Sequence, residues 1–237
     1  MESKLAPKAN RQATDRITWD DEYSKNRVIP SSTREAPSHV LMLYSELLGF
    51  SRMETALDAG CGNGRNSIFL AKKGINVNAL DFSKTALEIA HQRVKREGLA
   101  GKVTLSEHNL GRPLPFDRDS FDLCLDLYVS CHFLDRDMRS GYANELFRMT
   151  KRGGYMITAA FDYRDEYYAT IAATRTSVSY VTDPKNSVTK ELFDDEGLKS
   201  VFCPPFSVSY YAELRFSDVV GNRSYERRIL SFALQKS

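Results

Sequence analysis

Short segments rich in apolar residues alternate along this chain with longer stretches of helical spacing. The short segments predict five strands at residues 54–59, 75–80, 103–107, 121–127 and 155–161. Residues 121–127 are nearly continuous in apolar residues, which is typical of a strand in the centre of a parallel sheet. Helical spacing between these strands predicts helices over residues 65–73, 84–97 and 136–150. Strand and helix in alternation predict a doubly wound α/β fold with a mostly parallel sheet.

The N-terminal part of the chain precedes this alternation. Residues 38–48 have helical spacing, with Ser38 suited to the N-cap and Gly49 to the C-terminal cap. We therefore expect residues 15–49 to form an N-terminal helical cap. Residues 1–14 are polar and lack an apolar signal core, so we expect them to be a disordered tail.

The last third of the chain breaks the alternation. Residues 162–188 show no clear period, and we expect them to form an insertion on the substrate side. A helix with Thr189 as its N-cap is predicted over residues 189–202. Two strand-like stretches, 206–216 and 225–234, predict an antiparallel hairpin that extends the sheet to seven strands. We expect residues 15–237 to form a single domain.

Charge and cysteine content limit the function classes. The chain has 33 basic and 31 acidic residues, which gives no strong field for nucleic acid or an anionic membrane. Short basic pairs such as Arg227-Arg228 are typical of solvated faces. No apolar run approaches the roughly 20 residues of a membrane-spanning helix. Because the cysteines lack C-x-x-C spacing, we expect reduced thiols and a cytoplasmic location; they are Cys61, Cys124, Cys131 and Cys203.

A glycine-rich loop joins the first predicted strand to the next helix. Gly60, Gly62 and Gly64 alternate along the chain, and Asp58 stands two residues before the first of them. Glycines here let the backbone turn tightly and approach a ligand closely, and the following helix presents its N-terminal N–H groups to the same place. This arrangement predicts a cradle for a nucleotide-type cofactor. The alternative is a turn that only joins the strand to the helix.

The second predicted strand is followed by an acidic residue. Asp81 lies about 20 residues after the glycine loop, where a carboxylate accepts hydrogen bonds from ribose hydroxyls. The alternative is an ordinary acid at a helix start, ahead of Ser83 as N-cap. Phe82 is placed either to cover the face of an adenine or to pack in the core.

The glycine spacing G-x-G-x-G differs from the G-x-G-x-x-G of dinucleotide sites. Together with the preceding acidic residue, it resembles motif I of class I S-adenosylmethionine-dependent methyltransferases. Residues 60–67 and 74–81, with Trp19-x-x-x-Tyr23 before them, are most similar to the tellurite-resistance and thiopurine-methyltransferase-like group. The resemblance spans about residues 19–160. It implies a Rossmann-like fold, S-adenosylmethionine as cofactor with S-adenosylhomocysteine as product, and a small-molecule acceptor.

The resemblance also implies a set of cofactor residues. Asn109 stands where the family usually has an aspartate, and an amide oxygen still accepts a hydrogen bond. The segment 126–129 lacks the Asn/Asp-Pro-Pro-Tyr of enzymes that methylate exocyclic or amide nitrogens, so base-amino methylation is not expected. The predicted cofactor-binding residues are Trp19, Tyr23, Asp58, Gly60, Gly62, Gly64, Asp81, Phe82, Asn109, Leu110 and Asp126.

Methyl transfer requires an acceptor held in line with the S–CH3 bond. The predicted substrate-binding residues are Arg27, Arg34, Tyr128, Tyr167 and Tyr168. A thiolate or metalloid anion needs no general base, whereas a hydroxyl or ammonium acceptor does. His132 and Tyr163 are the candidate catalytic residues for that case, and packing roles are the alternative.

Some relatives hold Mg²⁺ between an acid after the fourth strand and an Asp-Asn pair after the fifth. Here Tyr163 follows Asp162 in place of Asn, so no metal is predicted.

The leading hypothesis is therefore a methyltransferase for a small molecule, a monomer or homodimer without membrane or nucleic-acid partners. The alternatives are an RNA or protein methyltransferase, and a non-catalytic relative that binds S-adenosylmethionine.

Overall fold

The computed structural model describes residues 16–26, 28–172, 179–220 and 222–237. Its nine strands are β1 Thr55–Ala59, β2 Asn76–Asp81, β3 Val103–Glu107, β4 Phe121–Leu127, β5 Thr150–Phe161, β6 Ser179–Thr182, β7 Thr189–Leu192, β8 Ser207–Val220 and β9 Arg223–Gln235. Seven of them form one sheet in the order β3-β2-β1-β4-β5-β9-β8. Strands β1 to β5 are parallel to one another, while β9 pairs antiparallel with β5 and β8. The predicted Rossmann-like sheet with a C-terminal hairpin is confirmed.

Helices cover both faces of this sheet. They are α1 Pro30–Thr33, α2 His39–Leu47, α3 Arg65–Lys72, α4 Lys84–Arg96, α5 Arg136–Met149, α6 Glu166–Ala169 and α7 Asp195–Phe202. Neighbouring residues of β1 face opposite sides: Ala56 joins the apolar cluster that packs α2, α3 and α4, and Leu57 joins the cluster that packs α5 and α7. Burial on both faces explains why the central strand β4 is nearly continuous in apolar residues.

Two of the predicted helix caps are confirmed. The Ser83 hydroxyl accepts a hydrogen bond from the Ala86 N–H at 3.1 Å and begins α4. Gly49, with φ +62°, adopts the left-handed conformation after α2. Ser38 precedes α2 as predicted, but its side chain does not cap the helix, and its N–H donates to Asn66 Oδ1 at 2.9 Å.

The prediction for residues 189–202 was wrong in its first half. Residues Thr189–Leu192 form β7, which pairs antiparallel with β6. Helix α7 begins after Asp194, whose carboxylate accepts from the Gly197 N–H at 2.7 Å. An aspartate at this position satisfies a free N–H of the first turn, so the helix starts there and not at Thr189.

The N-terminal segment is helical where it is described. Residues 16–21 are α-helical, and Glu22–Asn26 continues them as a π-helical turn. Trp19 and Tyr23 lie on one face of this segment, with ring centroids 6.3 Å apart. The predicted tail at residues 1–14 lies outside the described residues. None of the helices in the described ranges is both long and apolar enough to cross a membrane.

Candidate active site

A cavity of about 740 Å³ lies at the carboxyl ends of the parallel strands. The segments that follow β1, β2, β3, β4 and β5 all contribute to its wall. The order β2-β1-β4 reverses the direction of strand addition at this point, and ligands of open α/β sheets bind at such switch points. The volume is within the range of small-molecule sites, about 300–1,000 Å³.

The glycine loop forms one end of the cavity. Gly60 has φ +73°, and a Cβ built on it would lie 2.5 Å from Val129 Cγ2. The N–H groups of Gly62 and Ser83 donate to the two oxygens of Asp81 at 2.8 and 2.9 Å. Burial raises the pKa of Asp81, and these backbone N–H groups act to lower it. Asp81 thus holds the loop and also lines the cavity, with lone pairs left for ligand hydroxyls.

Most of the predicted cofactor residues meet at this end. Gly62 and Gly64 shape the loop behind the wall, and a Cβ at Gly64 would lie 3.1 Å from the Cβ of Ala90. The predicted cofactor residues that line the cavity are Trp19, Tyr23, Gly60, Asp81, Phe82, Asn109 and Leu110.

Asp58 and Asp126 are not brought to the cavity wall as the described residues define it. Asp58 is buried under α3, where its Oδ2 accepts from the Ser67 hydroxyl at 2.5 Å, and burial raises its pKa to about 6. Asp126 is fully buried. Its carboxylate accepts from the Ser130 and Thr158 hydroxyls at 2.7 Å each. Both carboxylates therefore stabilise the carboxyl ends of their strands through these hydrogen bonds and are not part of the cavity wall.

Three of the predicted substrate-binding residues, Tyr128, Tyr167 and Tyr168, also line the cavity, and the part of the wall that they form is the candidate acceptor end. Tyr128 has φ +66°, an uncommon conformation for a bulky residue, and this conformation follows directly on the end of β4. The Tyr167 hydroxyl donates to Asp183 at 2.9 Å. Arg34 also lines the cavity, where it forms an ion pair with Asp218 of β8.

The remaining predicted site residues are Tyr163 and Arg27. Tyr163 is absent from the wall that the described residues form; its ring instead stacks under the Arg164 guanidinium, with 5.4 Å from centroid to Cζ. Arg27 lies outside the described residues.

His132 also lines the cavity. Its ring meets Trp19 edge to face, with centroids 5.0 Å apart, and its Nδ1 lies 3.0 Å from the Thr189 carbonyl. A carbonyl only accepts, so we assign the proton to Nδ1. Burial, helped by the charge of Lys190, lowers the pKa of His132 to about 3. A nitrogen of such low basicity stays neutral at physiological pH, which favours an orienting role over that of a general base.

Sequence reasoning did not identify four charged residues at or beside the cavity. Arg65, Lys190 and Arg227 line it and are all buried. Glu22, also buried, links the N-terminal segment to the loop before β7. For two of these residues the neighbouring sequence offered a clue to the site, because Arg65 directly follows the glycine loop and Glu22 lies between Trp19 and Tyr23. Lys190 and Arg227 lie in segments without a recognisable motif.

No group of three or more His, Cys, Asp or Glu side chains suited to a metal ion occurs among the described residues. Asp162 is fully buried and bound by Arg164, with N–O distances of 2.8 Å from Nε and 2.6 Å from the terminal nitrogen.

Residues 56–154 match the family model described as "Methyltransferase domain". This part of the chain is therefore similar to a methyltransferase domain. The cavity suits S-adenosylmethionine, the cofactor that the sequence predicts, because Asp81 lines it and the Gly60 backbone leaves room that a Cβ would fill.

Proteins similar to the methyltransferase domain include the methyltransferase GfsG of Streptomyces halstedii, which is 34% identical over 126 residues, 53% of this chain and 44% of that protein. The matched region spans about half the length of the curated relatives. Among solved structures, the 1,6-didemethyltoxoflavin-N1-methyltransferase of Burkholderia thailandensis has a TM-score of 0.72 at 15% identity, covering 100% of this chain and 94% of that one. TehB from Haemophilus influenzae has a TM-score of 0.63 at 16% identity, covering 92% and 67%. The fold of the tellurite-resistance group is thus among its neighbours.

Replacing Asp81 with alanine is expected to weaken S-adenosylmethionine binding by about 1–3 kcal/mol, because charge-assisted hydrogen bonds to the ligand and to the loop are lost. Calorimetry measures the change. Asp81→Asn keeps one acceptor oxygen, so its affinity for S-adenosylmethionine should lie between those of the wild type and Asp81→Ala. Asp117→Ala, at an exposed position outside the cavity wall, is the control. Unchanged affinity in Asp81→Ala would remove Asp81 from the cofactor site.

Proposed function

We propose that the protein is an S-adenosylmethionine-dependent methyltransferase that transfers the methyl group by in-line displacement to a small-molecule acceptor. The supporting observation is that the cavity is continuous from the glycine loop to an aromatic chamber formed by Tyr128, Phe161 and Tyr168. The donor and the acceptor therefore have adjoining places in one cavity, beside the N-terminal segment that carries Trp19 and Tyr23.

The bound cofactor supplies an electrophilic sulfonium methyl group, so the chain's own residues have to bind, orient and exclude water. Positioning of this kind contributes up to roughly 7–11 kcal/mol. Trp19 and Tyr23 present aromatic rings to the cavity, and such rings stabilise a cation by about 0.5–2 kcal/mol. The His132 ring packs edge to face against the Trp19 ring and holds it in position.

The balance of 33 basic and 31 acidic residues favours a small molecule over RNA, which requires a basic surface. We also propose a cytoplasmic location, supported by four cysteines without disulfide partners. The assembly is proposed to be a monomer or homodimer, and the chain a single domain over residues 15–237. In this domain, residues 15–49 form the cap and residues 162–188 the substrate-side insertion.

The test combines binding and turnover. Calorimetry with S-adenosylmethionine is followed by a screen of thiol, amine, hydroxyl and metalloid acceptors, with S-adenosylhomocysteine as the readout. Total RNA and a protein extract are tested in the same assay as the alternative substrates. We expect product with at least one small acceptor in the wild type and a reduced rate in Asp81→Ala. Absence of cofactor binding, or product only with RNA or protein, would contradict the proposal.

A further inference from the structure

Lys190 is a buried cation at the acceptor end of the cavity. Its side chain lies on β7, lines the cavity and is 3% exposed. Its ammonium donates to the Tyr168 hydroxyl at 2.6 Å and lies 4.5 Å from the centroid of that ring. Among the described residues, no carboxylate oxygen lies within 4.0 Å of this nitrogen. Two of its three N–H donors therefore have no partner in the described part of the chain.

The carboxylates closest along the chain or in the cavity wall are already engaged. Glu191, the next residue of β7, forms an ion pair with Arg139. Asp183 accepts from Tyr167 and from the Lys185 N–H, and Asp218 pairs with Arg34. Burial acts to lower the pKa of Lys190, but Tyr168 and Asp183 act to raise it, and the net direction is upward. The side chain thus remains an ammonium ion.

Arg227 is a second cation at the same end of the cavity. Its guanidinium packs on Phe161, Tyr167 and Tyr168, with 4.7, 5.4 and 5.2 Å to the ring centroids. Asp165 neutralises it through a 2.8 Å contact to Nε, but one terminal nitrogen is buried without a hydrogen-bond partner among the described residues. Two cations thus flank three aromatic rings, and one of these charges is not balanced within the protein.

A buried charge without a counter-ion is costly, so a site that keeps one is suited to a ligand that brings the opposite charge. We propose that the acceptor of this methyltransferase is an organic acid with a flat apolar body, an aryl or heteroaryl carboxylate. Lys190 binds its carboxylate, and the rings of Phe161 and Tyr168 contact its body. This inference rests on the proposed function and names the substrate class of that site.

The experiment measures acid recognition without knowledge of the natural acceptor. The protein is saturated with S-adenosylhomocysteine and titrated calorimetrically with benzoate and with benzamide, its neutral counterpart, and then with indole-3-carboxylate and its amide. The variants are Lys190→Met, which keeps the chain length, and Lys190→Arg, which keeps the charge. Lys185→Met removes the same charge from an exposed position of the neighbouring loop and is the matched control.

We expect the wild type to bind at least one acid about tenfold or more tightly than its amide, as charge-assisted hydrogen bonds imply. Lys190→Met should lose this preference with S-adenosylhomocysteine affinity unchanged, while Lys190→Arg and Lys185→Met should keep it. Equal binding of every acid and its amide by the wild type would overturn the inference whether or not the variants fold, as would a preference that survives in Lys190→Met. Absence of S-adenosylhomocysteine binding by the wild type would instead contradict the proposed function.

Discussion

Gly60→Ala is expected to weaken S-adenosylmethionine binding about 100-fold or more, whereas Gly98→Ala should leave it unchanged. Both glycines have left-handed backbones, with φ +73° and +70°. A methyl group at Gly98 meets open space, but at Gly60 it would lie 2.5 Å from Val129 Cγ2. Backbone strain of about 1–2 kcal/mol is thus common to both variants, and only Gly60→Ala adds overpacking of about 1–3 kcal/mol.

The overpacking is expected to reach the cofactor, because Val129 and Gly60 both line the cavity. A displacement of about 1 Å in the loop lowers the rate of transfer about 100-fold, and overpacking of about 3 kcal/mol corresponds to a loss of affinity of about 100-fold. Calorimetry and thermal unfolding of the two single variants separate the common strain from the local clash. Gly60→Ala/Val129→Ala removes the clashing methyl groups and should recover part of the affinity. Equal affinities in Gly60→Ala and Gly98→Ala would show that the close approach at Gly60 plays no part.

The core of the fold was predictable because its determinants are local. Strands β3 and β4 have the predicted bounds, because each lies between polar turns. β4 is nearly continuous in apolar residues, whereas β3 alternates apolar and polar residues. Strand β7 was not predictable in this way. It carries Lys190 and Glu191, both buried, and their charges hide the apolar pattern of a strand. Their burial depends on Tyr168 and Arg139, which lie elsewhere in the sequence.

The same limit applies to the site. Motif spacing located Asp81 and Gly60, which line the cavity, but it did not reveal which way Asp58 and Asp126 face. Arg227 illustrates the point most clearly. The pair Arg227-Arg228 was expected on a solvated face, and that expectation was wrong for Arg227, which is 4% exposed. Its partner Asp165 lies 62 residues away along the chain, so no local sequence pattern indicates the ion pair between them.

Glu22→Ala is expected to release the N-terminal segment from the cavity. Glu22 is fully buried at the start of the π-helical turn. One of its oxygens accepts from the N–H groups of Val28 and Ile29 at 2.7 and 2.9 Å and from the Ser32 hydroxyl at 2.6 Å. The other accepts from the Asn186 amide at 2.8 Å. One carboxylate therefore joins the segment that carries Trp19 and Tyr23 to the loop before β7.

Removing this carboxylate leaves four donors without their partner, and an unsatisfied buried donor typically costs about 1–3 kcal/mol. Because the segment lies at the edge of the fold, we expect local opening more than global unfolding. Hydrogen exchange should accelerate at residues 16–26 and 28–33, with weaker S-adenosylmethionine binding as Trp19 and Tyr23 leave the wall. Glu22→Gln retains the oxygen shared by three donors and should lose only the link to the loop. Asn186→Ala loses the same link and also the hydrogen bond from the Val188 N–H to Asn186 Oδ1, so its effect should be at least as large as that of Glu22→Gln. Glu46→Ala, which removes a carboxylate that is 80% exposed, should behave as wild type. Unchanged exchange in Glu22→Ala would show that apolar packing of Trp19 and Tyr23 alone holds the segment over the cofactor end of the cavity.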